Sequence, residues 1–101
     1  MSRKIRIAHW EMSNGQIAMV EVSYPTFSDM KKEYVLSVQP TTIDEWGTHR
    51  YFPRQGYRYS LELATRFSEK KLEALSSSPK VLEIARTMFN RCEEDVKNNK
   101  W

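Results

Sequence analysis

Arg3 to Tyr24 reads RKIRIAHWEMSNGQIAMVEVSY, two runs of alternating apolar and polar residues joined at Asn14-Gly15. Both turn residues tolerate positive φ, which makes Asn-Gly the strongest short-range signal for a two-residue hairpin loop. Such a loop sets Ser13 opposite Gln16, Trp10 opposite Met19, Ile7 opposite Val22 and Ile5 opposite Tyr24. One face then carries Ile5, Ile7, Ala18, Val20, Val22 and Tyr24 and is assigned to the core. The other carries Trp10, Met12, Ile17 and Met19 at the turn end, with Arg6, Glu21 and Ser23 further along. Four large apolar side chains on an outward face predict a contact patch for a protein partner or a second copy of the chain, unless the C-terminal helices cover them.

The rest of the chain extends this hairpin into a sheet and then changes period. Pro25 ends the second strand, and Thr26 to Lys32 reads as a polar connection. Glu33 to Gln39 is a third strand with Tyr34, Leu36 and Val38 inward, stopped by Pro40. Thr42 to Glu45 has capping-box spacing and predicts one helical turn before Gly47. His49 to Gln55 is a loop or short strand. Tyr57, Tyr59, Leu61 and Leu63 alternate with Arg58, Ser60 and Glu62, and the tyrosines favour a strand over a helix begun at Ser60.

Ser68 caps a short helix ending at Leu75. Ser78-Pro79 starts a second, because serine satisfies a free amide and proline needs none at the first position. Val81, Ile84, Ala85, Met88, Phe89, Cys92 and Val96 recur at helical spacing, so Pro79 to Lys97 is a helix with one apolar face. The expected core is Ile5, Ile7, Val20, Val22, Leu36, Val38, Leu63, Val81, Ile84, Ala85, Met88, Phe89 and Cys92. The whole reads as a single α+β domain over residues 1–101: an antiparallel sheet of three to four strands, N-terminal hairpin first, with a C-terminal helix pair packed on one face. Trp101 has no neighbours that decide its setting.

A chain of 101 residues with 40% hydrophobic content can bury one core without metal or disulfide staples. Cys92 is the only cysteine, so a reducing, cytoplasmic setting is expected. No apolar run approaches the roughly 20 residues that span a bilayer. Catalytic groupings are missing. Three scattered glycines make no phosphate loop. Cys92 has only His9 and His49 as bases, and it sits on a core-facing helix stripe. Cysteine and histidine together fall short of a structural zinc set, and Asp44, Glu45 and His49 make a weak divalent site at best. The chain is therefore expected not to be an enzyme and to carry no metal or cofactor. Its size and lack of motifs suit a small accessory protein of the kind phages and mobile elements carry.

One stretch concentrates charge. Between His49 and Phe67 stand Arg50, Arg54, Arg58 and Arg66 against Glu62, an excess equal to the net +3 of the whole chain. Tyr51, Phe52, Tyr57 and Tyr59 are interleaved. Arginine grips phosphate bidentately and stacks on rings, and single-stranded nucleic acid is held by cations along the backbone with aromatics stacking bases. Arg50, Tyr51, Phe52, Arg54 and Arg58 are thus the candidate nucleic-acid residues of segment 49–66. Two function classes result: a non-catalytic protein-binding module acting through Trp10, Met12, Ile17 and Met19, or a nucleic-acid-binding module acting through the arginine stretch. For the strand reading, Arg58 and the tyrosines diverge, and Asp44, Glu45 and Glu62 stand as local partners that could neutralise the arginines.

Overall fold

The structure, a computed structural model, describes residues 2–25, 32–52 and 54–100. Most of the connection read at Thr26–Lys32, together with Pro53 and Trp101, lies outside the described residues. Five strands and two helices occur in order: β1 (Ser2–Glu11), β2 (Ile17–Pro25), β3 (Glu33–Ile43), β4 (His49–Tyr51), β5 (Tyr57–Leu63), α1 (Glu69–Ser76) and α2 (Pro79–Lys97). The sheet is antiparallel throughout, with β1, β2 and β3 side by side. Both β4 and β5 pair with the far edge of β3, β5 along its first half and β4 along its last three residues. This is the expected α+β architecture, with β4 as the short extra strand.

The hairpin register differs from the expected one by a single residue. Trp10 opposes Ala18 and Glu11 opposes Ile17. Gly15 donates its amide to Met12 O at 3.0 Å, Met12 donates to Gln16 O at 2.8 Å, and Gly15 has φ +89°. The loop is thus three residues, a turn completed by a left-handed glycine, which Asn-Gly also permits. A one-residue slip turns every side chain over. Trp10 and Met12 accordingly face the helices with Ala18 and Val20, while Ile17 and Met19 face the other way. A bulge at Ile7, between the Arg6–Glu21 and Ala8–Val20 pairs, restores Ile5 to the core side opposite Val22.

Three further expectations are corrected. Pro40 does not end β3, which runs on to Ile43. It lies in the gap on the outer edge of β3, where β5 pairing has ended at Val38 and β4 pairing begins at Thr41, so no strand there requires its missing amide. Thr42 to Glu45 forms no helical turn. Asp44 Oδ1 accepts from the amides of Trp46 and Thr48, both at 2.9 Å, and closes a β3–β4 hairpin turn. Leu63 is 63% exposed and not core. A second bulge leaves Leu61 unpaired between the Ser60–Val35 and Glu62–Tyr34 pairs, which reverses the facing of Glu62 and Leu63.

The helices cover one sheet face, α1 against β1 and β2 and α2 against β3. Both begin as expected: Ser68 Oγ accepts from Lys71 N at 3.2 Å and Ser78 Oγ from Val81 N at 3.4 Å. Ala18, Val20, Val22, Tyr24, Tyr34, Leu36 and Val38 meet Leu72, Val81, Ala85, Met88, Phe89 and Cys92 in one buried cluster, with Ile5, Ile7 and Ile84 half-buried at its margin. Trp10 stacks edge-on against Phe89 at 5.3 Å, and the Arg86 guanidinium lies 4.4 Å from its ring. Tyr57 donates its hydroxyl to Asp95 Oδ2, and Arg91 covers its ring at 4.5 Å. Among the described residues no helix is long and apolar enough to cross a membrane.

Candidate functional site

The sheet face away from the helices is the only broad surface built on rigid strands among the described residues, and register decides what it carries. Arg6 opposes Glu21, Glu21 opposes Ser37, and Ser37 opposes Arg58. Directly opposed residues share a face, so these four form a row across the sheet. Glu21 is 6% exposed, with Lys4 Nζ at 3.7 Å and Arg6 Nε at 3.9 Å. Tyr51 donates its hydroxyl to the same carboxylate at 3.4 Å, and Lys4 Nζ stands 5.6 Å from the Tyr51 ring. Tyr51 opposes Thr41 and Glu21 opposes Ser37, so this reach crosses β3 diagonally, on the face where Met19 is 1% exposed. Half of the open face is therefore occupied by an ion cluster of two cations about one buried carboxylate.

The other half is concave. Ser37, Gln39, Arg54, Gln55, Gly56, Tyr57 and Arg58 line a polar hollow of about 300 Å³. Arg58 enters it from β5, fixed by its pairing with Ser37. Arg54 is delivered by the β4–β5 connection, which is tied down at three points. Gln55 donates its amide to Phe52 O at 3.0 Å, Gln39 Nε2 donates to the same carbonyl at 3.3 Å, and Gln16 Nε2 donates to Gln55 Oε1 at 3.2 Å. Gly56 lets this connection pass against β3: at φ +100°, a Cβ there would meet Val38 O at 2.6 Å. Among the described residues neither Arg54 nor Arg58 has an ion-pair or hydrogen-bond partner. The carboxylates expected to neutralise the stretch are not on these arginines. Asp44 closes its own turn, Glu45 is exposed without an ion pair among the described residues, and Glu62 pairs with Lys71 at 2.8 Å.

Of the expected nucleic-acid residues, the structure brings Arg54 and Arg58 together. Arg50 opposes Thr42 and so faces away from its neighbour Tyr51. Tyr51 is held by Glu21, and Phe52 is half-buried at the start of the connection. The expected protein patch does not form. Met12 is 3% and Met19 1% exposed, on opposite faces, Trp10 packs on α2, and Ile17 is half-buried. Sequence reasoning missed Ser37 and Gln39, since only pairing across β3 brings them to the arginines, and it passed over Gln55 and Gly56, which stand between Arg54 and Arg58 in the chain. It also passed over Trp46, which is 82% exposed on the β3–β4 turn; its position beside the turn signal Asp44…Gly47 was the available clue.

Further polar groups among the described residues are tied into the fold. Thr41 Oγ1 donates to Ile17 O at 2.7 Å, so the 3.1 Å contact to His49 uses Nδ1–H as donor and ties that ring down, apart from Asp44 and Glu45. Burial first, then the charges of Asp95 and Glu93, push the Cys92 thiol up to about 12. The hydrogen bond to Asp95 likewise raises Tyr57 above its usual value. Both groups stay neutral in the fold, whereas in the unfolded chain they ionise near about 8.5 and 10. Their contribution is complete below pH ~8.5 and declines as pH rises towards the folded values. Stability measured by denaturant melts is expected to fall steadily above pH ~8.5. The Cys92→Ala variant should show a shallower alkaline slope, and in the wild type a thiol reagent should label Cys92 only at the rate of unfolding.

Comparison with known protein families, curated proteins and solved structures finds no match to this chain. What it does has to be read from its own residues.

Proposed function

We propose that this chain is a non-catalytic binding module whose open sheet face takes the phosphate backbone of single-stranded nucleic acid at the Arg54–Arg58 hollow. The observation that carries the reading is the pair of arginines, without anionic partners among the described residues, on a rigid polar concavity. A solvated guanidinium needs no partner, but two held beside a hollow lined by Ser37, Gln39 and Gln55 make a ready phosphate cradle. Strand pairing fixes the backbone of one arginine and a hydrogen-bonded connection that of the other, so the ordering cost on binding is confined to the two side chains. Lys4 and Arg6 outnumber the one carboxylate they share, which leaves a small positive excess at that end of the face. A free, buried Cys92 suits a reducing cytoplasmic setting for such a module.

Salt dependence tests this. Each phosphate contact on a single strand contributes roughly 0.7 to the log–log slope of affinity against salt. Oligonucleotide titrations at several salt concentrations should show Arg54→Ala and Arg58→Ala each weakening binding and lowering the slope by about that amount. Arg50→Ala, on the other side of the strand, should change little. Absence of binding at low salt, or a slope indifferent to both hollow-lining variants, removes the proposal.

A further inference from the structure

The two most exposed large apolar side chains among the described residues stand at opposite ends of β3. Trp46 is 82% exposed on the turn that comes after Ile43, and Leu63 is 63% exposed beside Glu33, where β3 begins. Ile43, at 53%, belongs to the first end and Tyr59, at 49%, lies on the strand that carries Leu63. Eleven strand residues separate the two ends, roughly 36 Å at 3.3 Å per residue, close to the 38 Å longest dimension of the molecule.

The two ends differ in shape and charge. The Trp46 end is a rigid knob. Asp44 Oδ1 holds the amides of Trp46 and Thr48, Asp44 N donates to Thr48 O at 2.9 Å, and Gly47 N donates to Asp44 O at 3.0 Å. Asp44 and Glu45 make it acidic. The Leu63 end is an open hollow of about 630 Å³ lined by Lys32, Leu63, Ala64, Thr65 and Arg66. Ala64 N donates to Lys32 O at 3.1 Å and fixes its walls. Lys32 and Arg66 have no ion-pair partner among the described residues. An acidic aromatic knob thus faces one way along β3, and an apolar hollow with a basic rim faces the other.

We infer that the chain associates head to tail with further copies of itself, Trp46 of one copy seated against Leu63 and Ala64 of the next, with Glu45 meeting Lys32 and Arg66. Tryptophan is among the residues enriched as interface anchors, and the shallow hollow offers its ring an apolar floor at Leu63 and Ala64. The contact is heterologous, so it leaves a free knob and a free hollow at the ends of every open assembly. Edge pairing through β1 is the disfavoured alternative, because Arg3, Lys4 and Arg6 together with the Ile7 bulge guard that edge. One anchor and its rim fall short of the roughly 1,000 Å² of a permanent interface, so association is concentration-dependent and weakened by salt. None of these residues lines the Arg54–Arg58 hollow, and the inference is independent of the nucleic-acid reading.

The test is sedimentation of the full chain from micromolar to millimolar concentration. Weight-average mass should rise with concentration, and fall back to the monomer for Trp46→Ala, for Glu45→Lys and for the Lys32→Glu/Arg66→Glu double variant. Unchanged unfolding midpoints for these exposed positions show that the fold is intact. Mixing Trp46→Ala, which keeps the hollow, with the double variant, which keeps the knob, should yield a pair and nothing larger. A monomer at every concentration, a Trp46→Ala variant that associates as the wild type does, or a mixture that stays monomeric overturns the inference.

Discussion

Gly56→Ala is expected to destabilise the protein by about 2–4 kcal/mol, combining a left-handed backbone strain with a packing clash. The new Cβ meets Val38 O at 2.6 Å and Gln39 Cα at 3.0 Å. Both are backbone atoms of the strand that pairs with β2 on its other side, so neither can rotate away. Relief requires β3 or the β4–β5 connection to shift, which breaks the pairing that starts at Val38–Tyr57. Thermal melts should show a loss of roughly 10 °C or more for a domain of this size. Gly15 (φ +89°) and Gly47 (φ +77°) are the controls, because an added Cβ there meets nothing within 4 Å. Their alanine variants retain only the cost of a left-handed conformation, about 1–2 kcal/mol. Equal losses at all three positions would show that the connection does not press on β3.

Met19→Ala is expected to cost about 2–5 kcal/mol, the range for truncating a buried methionine, although Met19 lies on the face without helices. Its side chain is 1% exposed, on the sheet face across which Tyr51 reaches from β4 towards Glu21. Trp10→Ala, on the opposite face, should cost about 3 kcal/mol or more through loss of the Phe89 contact. If both were parts of an outward patch, stability would barely move and self-association would fall. Denaturant melts with the oligomeric state measured in parallel separate these outcomes. A stability change below about 0.5 kcal/mol, the usual surface range, would overturn the three-residue-loop register of the hairpin if found for Trp10→Ala, and the burial of the Met19 side chain if found for Met19→Ala.

Much of the architecture is legible in the residues. Serine caps, Pro79 and the helical recurrence from Val81 to Val96 place α2 from Pro79 to Lys97, and two alternating runs about a glycine turn specify an N-terminal hairpin. These signals are local: each depends on φ preferences, amide satisfaction or periodicity within one segment. The faces of the strands were less legible. Asn14-Gly15 is compatible with a two- or a three-residue loop, and nothing local marks the extra residues Ile7 and Leu61. The longer loop moved Trp10 and Met12 into the core, and the bulge at Leu61 moved Leu63 out of it.

For the site, the excess of arginine was visible as composition, but its use was not. Arg50, Tyr51, Arg54 and Arg58 are near neighbours in sequence, yet only Arg54 and Arg58 share a hollow, because β4 and β5 pair with different halves of β3 and alternation turns Arg50 away from Tyr51. On its own, the order of residues settled the main strands, the helices, their caps and the location of surplus charge, since these arise from interactions a few positions apart. Only tertiary pairing decided which side chains share a face, which carboxylates were already engaged and which arginines and tryptophan were left to solvent. Those outcomes depend on cross-strand register, and register is set by contacts between segments that no local preference encodes.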